Sequence, residues 1–470
     1  MASRRRGLVT TPSPRPALAR RVDPSRGRGD GVAASSERKQ LRRTSDGQRE
    51  LGKTYGKLGE NEQAKLAFGE SIVASGDWVK KAAKIPAEQK MALLGVAESN
   101  RLLGDLHVNL EELKPSAVQF QAAEAAISRL KTSGLDGEDV QFSSAQLFNS
   151  RAVAFEIQGL LDLQLQHLES ARNAYVALNG TAAKANAIRY RQKLARTYYN
   201  LGRAYDRLCS QGKSNDWKQV LSAYDKAVTG LESLRDDASG DRELELAVIQ
   251  ELAQTLQERS SGWLGYADAT TGEAAMGHER QAIRDADASI ALCQVLVEKA
   301  PRNPQYRVDR IYARMTRATL YPVDQVGNTE AEKLYLSGIT ALETIVEEHQ
   351  VPAHRSLLAD ARTNLGVLYQ DWPPTRVAPA SKRAMQAREQ FTAALKEAER
   401  LHVQFPGLAS YQYALADALR NMADLLKERD GAAAARLATR GLGLIEPLVR
   451  RYPGRPDYKS LAENLAAVGR

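Results

Sequence analysis

Residues 194–205 read Leu194-Ala195-Arg196-Thr197-Tyr198-Tyr199-Asn200-Leu201-Gly202-Arg203-Ala204-Tyr205. Leu194, Tyr198, Leu201, Tyr205 and then Leu208 step by four, three, four and three residues, which places all five on one face of a helix. The stretch returns as Leu358-Ala359 through Asn364-Leu365-Gly366 to Tyr369. It returns again, more loosely, as Leu415-Ala416 through Asn421-Met422-Ala423 to Leu426. Such self-similarity marks a repeat architecture. A second marker is a proline five residues before a tyrosine, at Pro301 and Tyr306, Pro406 and Tyr411, and Pro453 and Tyr458. The proline interrupts the chain, and the tyrosine falls in the first turn of the next helix. Of the 17 prolines, none lies between 116 and 300, as long helices require, because an interior proline removes a backbone hydrogen bond and clashes with the preceding turn. No segment alternates with period two. The chain is predicted to be all-α.

Composition narrows the function classes. The formal net charge is +9 over 470 residues, but residues 1–43 alone hold twelve Arg and Lys against three acids, so the rest of the chain is balanced. That segment carries Pro12, Pro14, Pro16 and Pro24 and few large apolar residues. It cannot offset its ordering entropy, and 1–44 is expected to be a disordered basic tail. A weak, salt-sensitive contact with nucleic acid is the one polyanion role open to it. No apolar run reaches the length of a membrane span. Two cysteines, Cys209 and Cys293, form no disulfide framework, and a cytoplasmic location is the natural expectation. Both are expected to be buried, whereas His349 and His354, flanking Pro352, are expected at the surface.

These residues resemble the tetratricopeptide repeat, a helix–turn–helix unit with Leu-Gly and Tyr on its first helix and Ala and an aromatic on its second. Leu51, Gly52, Tyr55, Gly59, Ala64 and Phe68 fit best. Leu103, Gly104, Phe120 and Ala123 form a second copy, and Phe155, Gly159, Ala171 and Tyr175 a third. Later copies are stretched, running from Gly202 to Tyr224, from Ala318 and Tyr321 to Ala331, Tyr335 and Gly338, and from Gly366 to Phe391. The last keeps Met422, Ala423, Ala435 and Pro447. Residues 242–300 read as helical but fit no copy. The extended form is also similar to the repeat regions of bacterial Ser/Thr protein kinases, although no Gly-rich loop, His-Arg-Asp or Asp-Phe-Gly of a kinase domain is present. The resemblance implies a solenoid of stacked helix pairs, with N-terminal units over 45–185, extended units over 186–470, and a capping helix from Tyr458 to Val468.

No P-loop, zinc-binding helix, nucleophile elbow or calcium loop occurs, so neither an enzyme nor a cofactor is expected. The resemblance implies instead a scaffold that binds a peptide or domain on its concave face. There the exposed positions lie five and two residues before the repeat leucine, and two and five after it. In the first unit they include Arg49 and Lys53. In the unit at Leu201 they are Arg196, Tyr199, Arg203 and Asp206, and in the unit at Leu365 they include Asp360, Thr363 and Gln370. At Met422 they are Asp417, Arg420, Asp424 and Lys427. A protein partner is expected, with a Ser/Thr kinase or its pathway as one form of it.

Overall fold

In four of the repeats, one helix backbone comes close enough to the other for an aromatic ring to lie on a glycine. A Cβ built on Gly52 would sit 2.7 Å from the Phe68 ring, and one on Gly202 2.6 Å from Tyr224. Gly104 is packed in the same way under Phe120, and Gly366 under Phe391. All four aromatics are buried, Tyr224 completely. The computed structural model describes residues 29–181, 184–238, 240–373 and 380–468. Among them there are seventeen helices and no strand.

Eight antiparallel pairs follow one another: α1 (Gly29–Leu58) with α2 (Asn61–Lys81), α3 (Pro86–Asn109) with α4 (Leu113–Thr132), α5 (Glu138–Gln158) with α6 (Leu161–Thr181), and α7 (Lys184–Ser210) with α8 (Trp217–Asp237). Then come α9 (Arg242–Asp268) with α10 (Gly272–Lys299), α11 (Pro304–Ala318) with α12 (Gln325–His349), α13 (Pro352–Asp371) with α14 (Ala380–Gln404), and α15 (Ala409–Leu426) with α16 (Gly431–Arg451). The single helix α17 (Pro456–Val468) covers the end, burying Tyr458, Leu461 and Leu465. The architecture is a tetratricopeptide-like α-solenoid. Its core is a row of small clusters between neighbouring helices, as a nearest-neighbour array requires. Asp216 caps α8 by accepting from the Gln219 amide at 3.1 Å, and Cys209 and Cys293 are buried, as the sequence suggests.

The structure corrects several expectations. Residues 29–44 belong to α1 rather than to a disordered tail, while 1–28 lie outside the described residues. The order of 29–44 comes from small residues and ion pairs, not from large apolar groups. Arg38 pairs with Glu88 at 2.7 Å and Lys81 with Glu37 at 2.5 Å, and Leu41 packs against the cluster around Trp78. Just beyond, Ser45 is fully buried among Ser71 and Ser75.

In the third unit Gly159 is not the close-approach glycine. It ends α5 in the left-handed conformation at φ 73°, as Gly59 ends α1 at 77°. The true counterparts are Ala152 and Leu168, one heptad earlier and packed in one cluster. In the last unit Ala434 and Ala438 are buried rather than Ala435 and Thr439, a shift of one residue, and α16 runs through Pro447. Tyr321 lies beyond the end of α11, against Arg317 at 4.3 Å. His354 is only 4% exposed, because α13 turns its first coil inward.

Residues 242–300 form a true pair. Here serine hydroxyls replace the glycine and the ring: Ser260 donates to the Ala282 carbonyl and Ser289 to that of Ala253, both at 2.8 Å. Arg259 grips Asp285 with two bonds of 2.7 and 2.8 Å.

The array also turns back on itself. The α3–α4 junction reaches the eighth pair, where Glu111 accepts from the Ala409 and Ser410 amides at 2.5 and 3.2 Å and so caps α15. Glu111 holds φ 56°, a conformation that non-glycine residues rarely adopt. Leu113 packs into the C-terminal cluster. Arg451 donates to the Glu111 carbonyl at 3.3 Å and Arg455 to the Ile157 carbonyl at 3.4 Å. Gly159 and Gly454 meet backbone to backbone.

Two predictions follow from this packing. Gly202→Ala drives a methyl into a ring that cannot move and costs about 2 kcal/mol. Adding Tyr224→Leu returns part of that loss, as a double-mutant cycle of urea denaturation will show. At the seam, Glu111→Gln loses a charged cap worth about 1 kcal/mol, whereas Glu111→Gly loses less because it also relieves the backbone. Thermal denaturation therefore ranks wild type first, then the glycine variant, then the glutamine variant.

Candidate lumenal binding site

The first helix of each pair faces inward, and neighbouring inner helices are joined by polar rungs. Arg49 of α1 donates to Ser99 of α3 at 3.1 Å, and Arg101 of α3 to Ser150 of α5 at 3.4 Å. Asn149 of α5 donates to Thr197 of α7 at 3.0 Å. Arg196 of α7 meets Glu251 of α9 at 3.2 Å. Gln250 and Gln257 of α9 reach Asp309 and Thr316 of α11, both at 2.7 Å. Among the described residues the ladder stops there. Its rungs leave two cavities between the inner helices. One, of about 750 Å³, is lined by Arg49, Lys53, Glu98, Arg189 and Tyr190. The other, of about 280 Å³, is lined by Arg101, Tyr175, Lys193, Arg196 and Asn200.

Every groove position inferred from the sequence lies on an inner helix or at its end, but they differ in freedom. Arg49 is committed to Ser45, Ser99 and Asp46, and Lys53 pairs with Glu50. Arg203 binds Glu156 at 2.9 Å and lies over the Tyr199 ring. Arg420 is held between Asp417 and Asp424 at 2.9 and 3.3 Å. Asp206 has its carboxyl raised by burial. Asp360 and Gln370 are exposed, Thr363 is half-buried, and Lys427 ends α15 in the open.

The charges that matter most were not all among them. Lys193 makes no direct ion pair among the described residues, although Glu251 raises its pKa somewhat and Asp105 also feels its charge. Burial lowers its pKa, and so do Arg196, Arg101 and Arg189 around it. Glu258 on α9 likewise makes no direct ion pair; burial raises its carboxyl, while Arg203 and Arg207 act in the opposite direction. Asp360 is pushed up to about 6, first by the protein crowded around it and then by Asp417 on the next inner helix. Tyr312 on α11 senses Glu258, Asp360 and Arg203 together, so inner helices from α7 to α13 face one shared space. Glu98, Arg101 and Asp105 obey the same offsets from Leu103 that found the others, and the rule applied to the second unit identifies them. Lys193 and Glu258 lie outside those offsets and carry no such signal.

No family model matches the chain, and no curated protein matches it. Among solved structures it is similar to a Rap protein complexed with competence and sporulation factor, with 12% identity, a TM-score of 0.42, and coverage of 91% of this chain and 98% of that one. The apo form of RapI gives 11% identity and a TM-score of 0.43, covering 90% and 97%. A human IFIT1 dimer with PPP-AAAA gives 13% and 0.29, covering 93% and 91%. At these identities and scores the likeness concerns the course of the chain alone. Among the described residues no helix is long and apolar enough to cross a membrane.

The raised Asp360 carboxyl sets a pH dependence. The native state binds more protons than the unfolded one between the ordinary carboxylate range and about pH 6, so this group's contribution to stability falls as pH rises through that window. Asp360→Asn removes the effect. The variant melts above wild type near pH 7.5 and loses that advantage below about pH 3.5, where the carboxyl is protonated in both states.

Proposed function

We propose that this chain is a non-catalytic scaffold whose lumen holds a polypeptide segment of a partner protein. The observation that carries this reading is a set of lumenal charges that make no direct ion pair: Lys193 on α7 and Glu258 on α9, which Glu251 and Arg203 only partly offset, and Asp360 on α13. A charge without a direct partner is costly in proportion to its burial, so a ligand supplying that partner gains most at the half-buried Lys193 and Glu258 and least at the exposed Asp360. The sign changes along the array, from positive on α7 to negative on α9 and α13. A segment with an acidic group near Lys193 and basic groups near Glu258 and Asp360 satisfies all three. Polypeptide provides that mixture, whereas a polyphosphate chain is repelled by the lumenal acids. A Ser/Thr kinase partner would be one case of the same mode, with its docking segment in the lumen.

A polyanion role for residues 1–43 is weakened by the helix at 29–43. It takes Arg38, Lys39, Arg42 and Arg43 into α1 and spends Arg38 on Glu88.

Reversing Arg203 or Arg420 would break intramolecular pairs, so the informative reversals are at the unpaired groups. With a partner captured by the full-length chain and identified by mass spectrometry, Lys193→Glu and Asp360→Lys each weaken its binding by roughly tenfold. Helicity and Tm stay at the wild-type level or above. Undiminished affinity in both variants would sink the lumenal site.

A further inference from the structure

The end of α3 is tied to the start of α15 by one side chain that stands where the fold elsewhere uses glycine. Glu111 holds φ 56°, and its amide and the next one close the helix end on the carbonyls of Val108 and His107. Gly59, Gly134, Gly159 and Gly212 occupy the same point of four other turns, with the same two bonds and φ from 66° to 77°. Glutamate is the costlier residue in that conformation. Among the described residues its carboxylate bonds only across the seam, to the Ala409 and Ser410 amides. The rest of the seam is thin. Arg451 and Arg455 reach carbonyls of the opposite side only at 3.3 and 3.4 Å, Leu113 is half-buried, and Gly159 touches Gly454 through backbone alone. No helix from α3 to α6 packs along a helix from α15 to α17. A cavity of about 740 Å³ stays open between the two sides, with Gly159 and Gln211 on one wall and Gly454 and Lys459 on the other.

Successive helices pack on one another throughout the array, so the seam is the contact that parts first. Its parting separates α3 from α15 and leaves every unit's interior as it was. Both are inner helices: α3 carries Arg101 and Asp105, and α15 carries Asp417 and Arg420. We propose that the seam is a reversible latch, held by the Glu111 carboxylate on the start of α15, that opens to admit the partner segment into the lumen and closes over it. This role rests on the lumenal reading given above. A segment in the interior of a partner chain has no free end to thread, and a latch lets it enter from the side. The carboxylate suits that task, because a cap of two hydrogen bonds on a helix start breaks and re-forms with little apolar surface exposed.

The test uses the full chain with spin labels at Lys114→Cys and Ser410→Cys, exposed positions on either side of the seam. The buried Cys209 and Cys293 stay unlabelled. The free chain is expected to show a closed distance and a longer one, and Glu111→Gly, which frees the turn of strain, raises the longer population several-fold. Gln350→Gly, which relaxes a second left-handed residue at the end of α12, outside the seam, leaves both populations unchanged. With the partner captured as above, the bound chain keeps the closed distance alone. Glu111→Gly speeds association by about fivefold, and a flexible bis-maleimide bridge between the two cysteines slows it by about tenfold or more. The latch is overturned if wild type and Glu111→Gly show the same single distance, or if the bridge leaves association unchanged. Either result leaves the lumenal site standing as long as Lys193→Glu weakens binding. Two seam distances together with undiminished binding in Lys193→Glu and Asp360→Lys overturn the lumenal reading, and the loading role with it.

Discussion

The close approach of a glycine backbone to an aromatic ring is the constraint on which the other features depend. At Gly52, Gly104, Gly202 and Gly366 no side chain larger than hydrogen fits beneath the ring. The spacing between the two helices of a pair, and hence the tilt passed to the next pair, is fixed at those points. Tyr224 shows how the constraint propagates. It lies on Gly202 of its own unit, while Gly262 of the following unit comes within 3.6 Å of its ring if a Cβ is imagined there. One buried side chain thus sets two interfaces. In an array whose units touch only their neighbours, repetition of that local geometry is what generates the curve.

The curve in turn creates the lumen and the seam. Inner helices drawn together by small residues leave their polar side chains facing one space, and most of these are spent on holding the helices to each other. Arg49 and Arg203, groove positions in the sequence, bridge neighbouring inner helices, and Arg420 is paired within its own helix. The groups with chemistry left to offer are the few the ladder does not use. Under the proposed reading, a partner's affinity concentrates at such positions, because they gain a direct counter-ion without losing one.

Much of this was legible in the sequence. The four glycine–aromatic pairs, the helical faces and the buried cysteines all follow from residue types whose physical roles are local. The failures have local causes as well. Gly159 to Tyr175 has the same separation as Gly52 to Phe68, and only the backbone conformation shows that it is a helix end one heptad out of register. Residues 242–300 hid their pairing because serine-to-carbonyl bonds gave the closeness that glycine gives elsewhere. Residues 29–44 read as disordered because what holds them, the Arg38–Glu88 and Lys81–Glu37 ion pairs and the single leucine Leu41, offers little apolar bulk. The seam had no sequence signal at all, since Glu111 and Ala409 are joined only by the sum of all the intervening turns.

Solenoids ordinarily tolerate the loss or gain of a whole unit, since each repeat needs only its neighbours. Glu111 in its left-handed conformation withdraws that freedom here. Its carboxylate meets the start of α15 only if the intervening units add up to one particular rotation and rise. A unit deleted between α5 and α14 would leave every local interface intact and still carry the capped helix past its cap. The seam therefore ties the closing contact to the number of units, so that the length of the array becomes part of what its fold specifies.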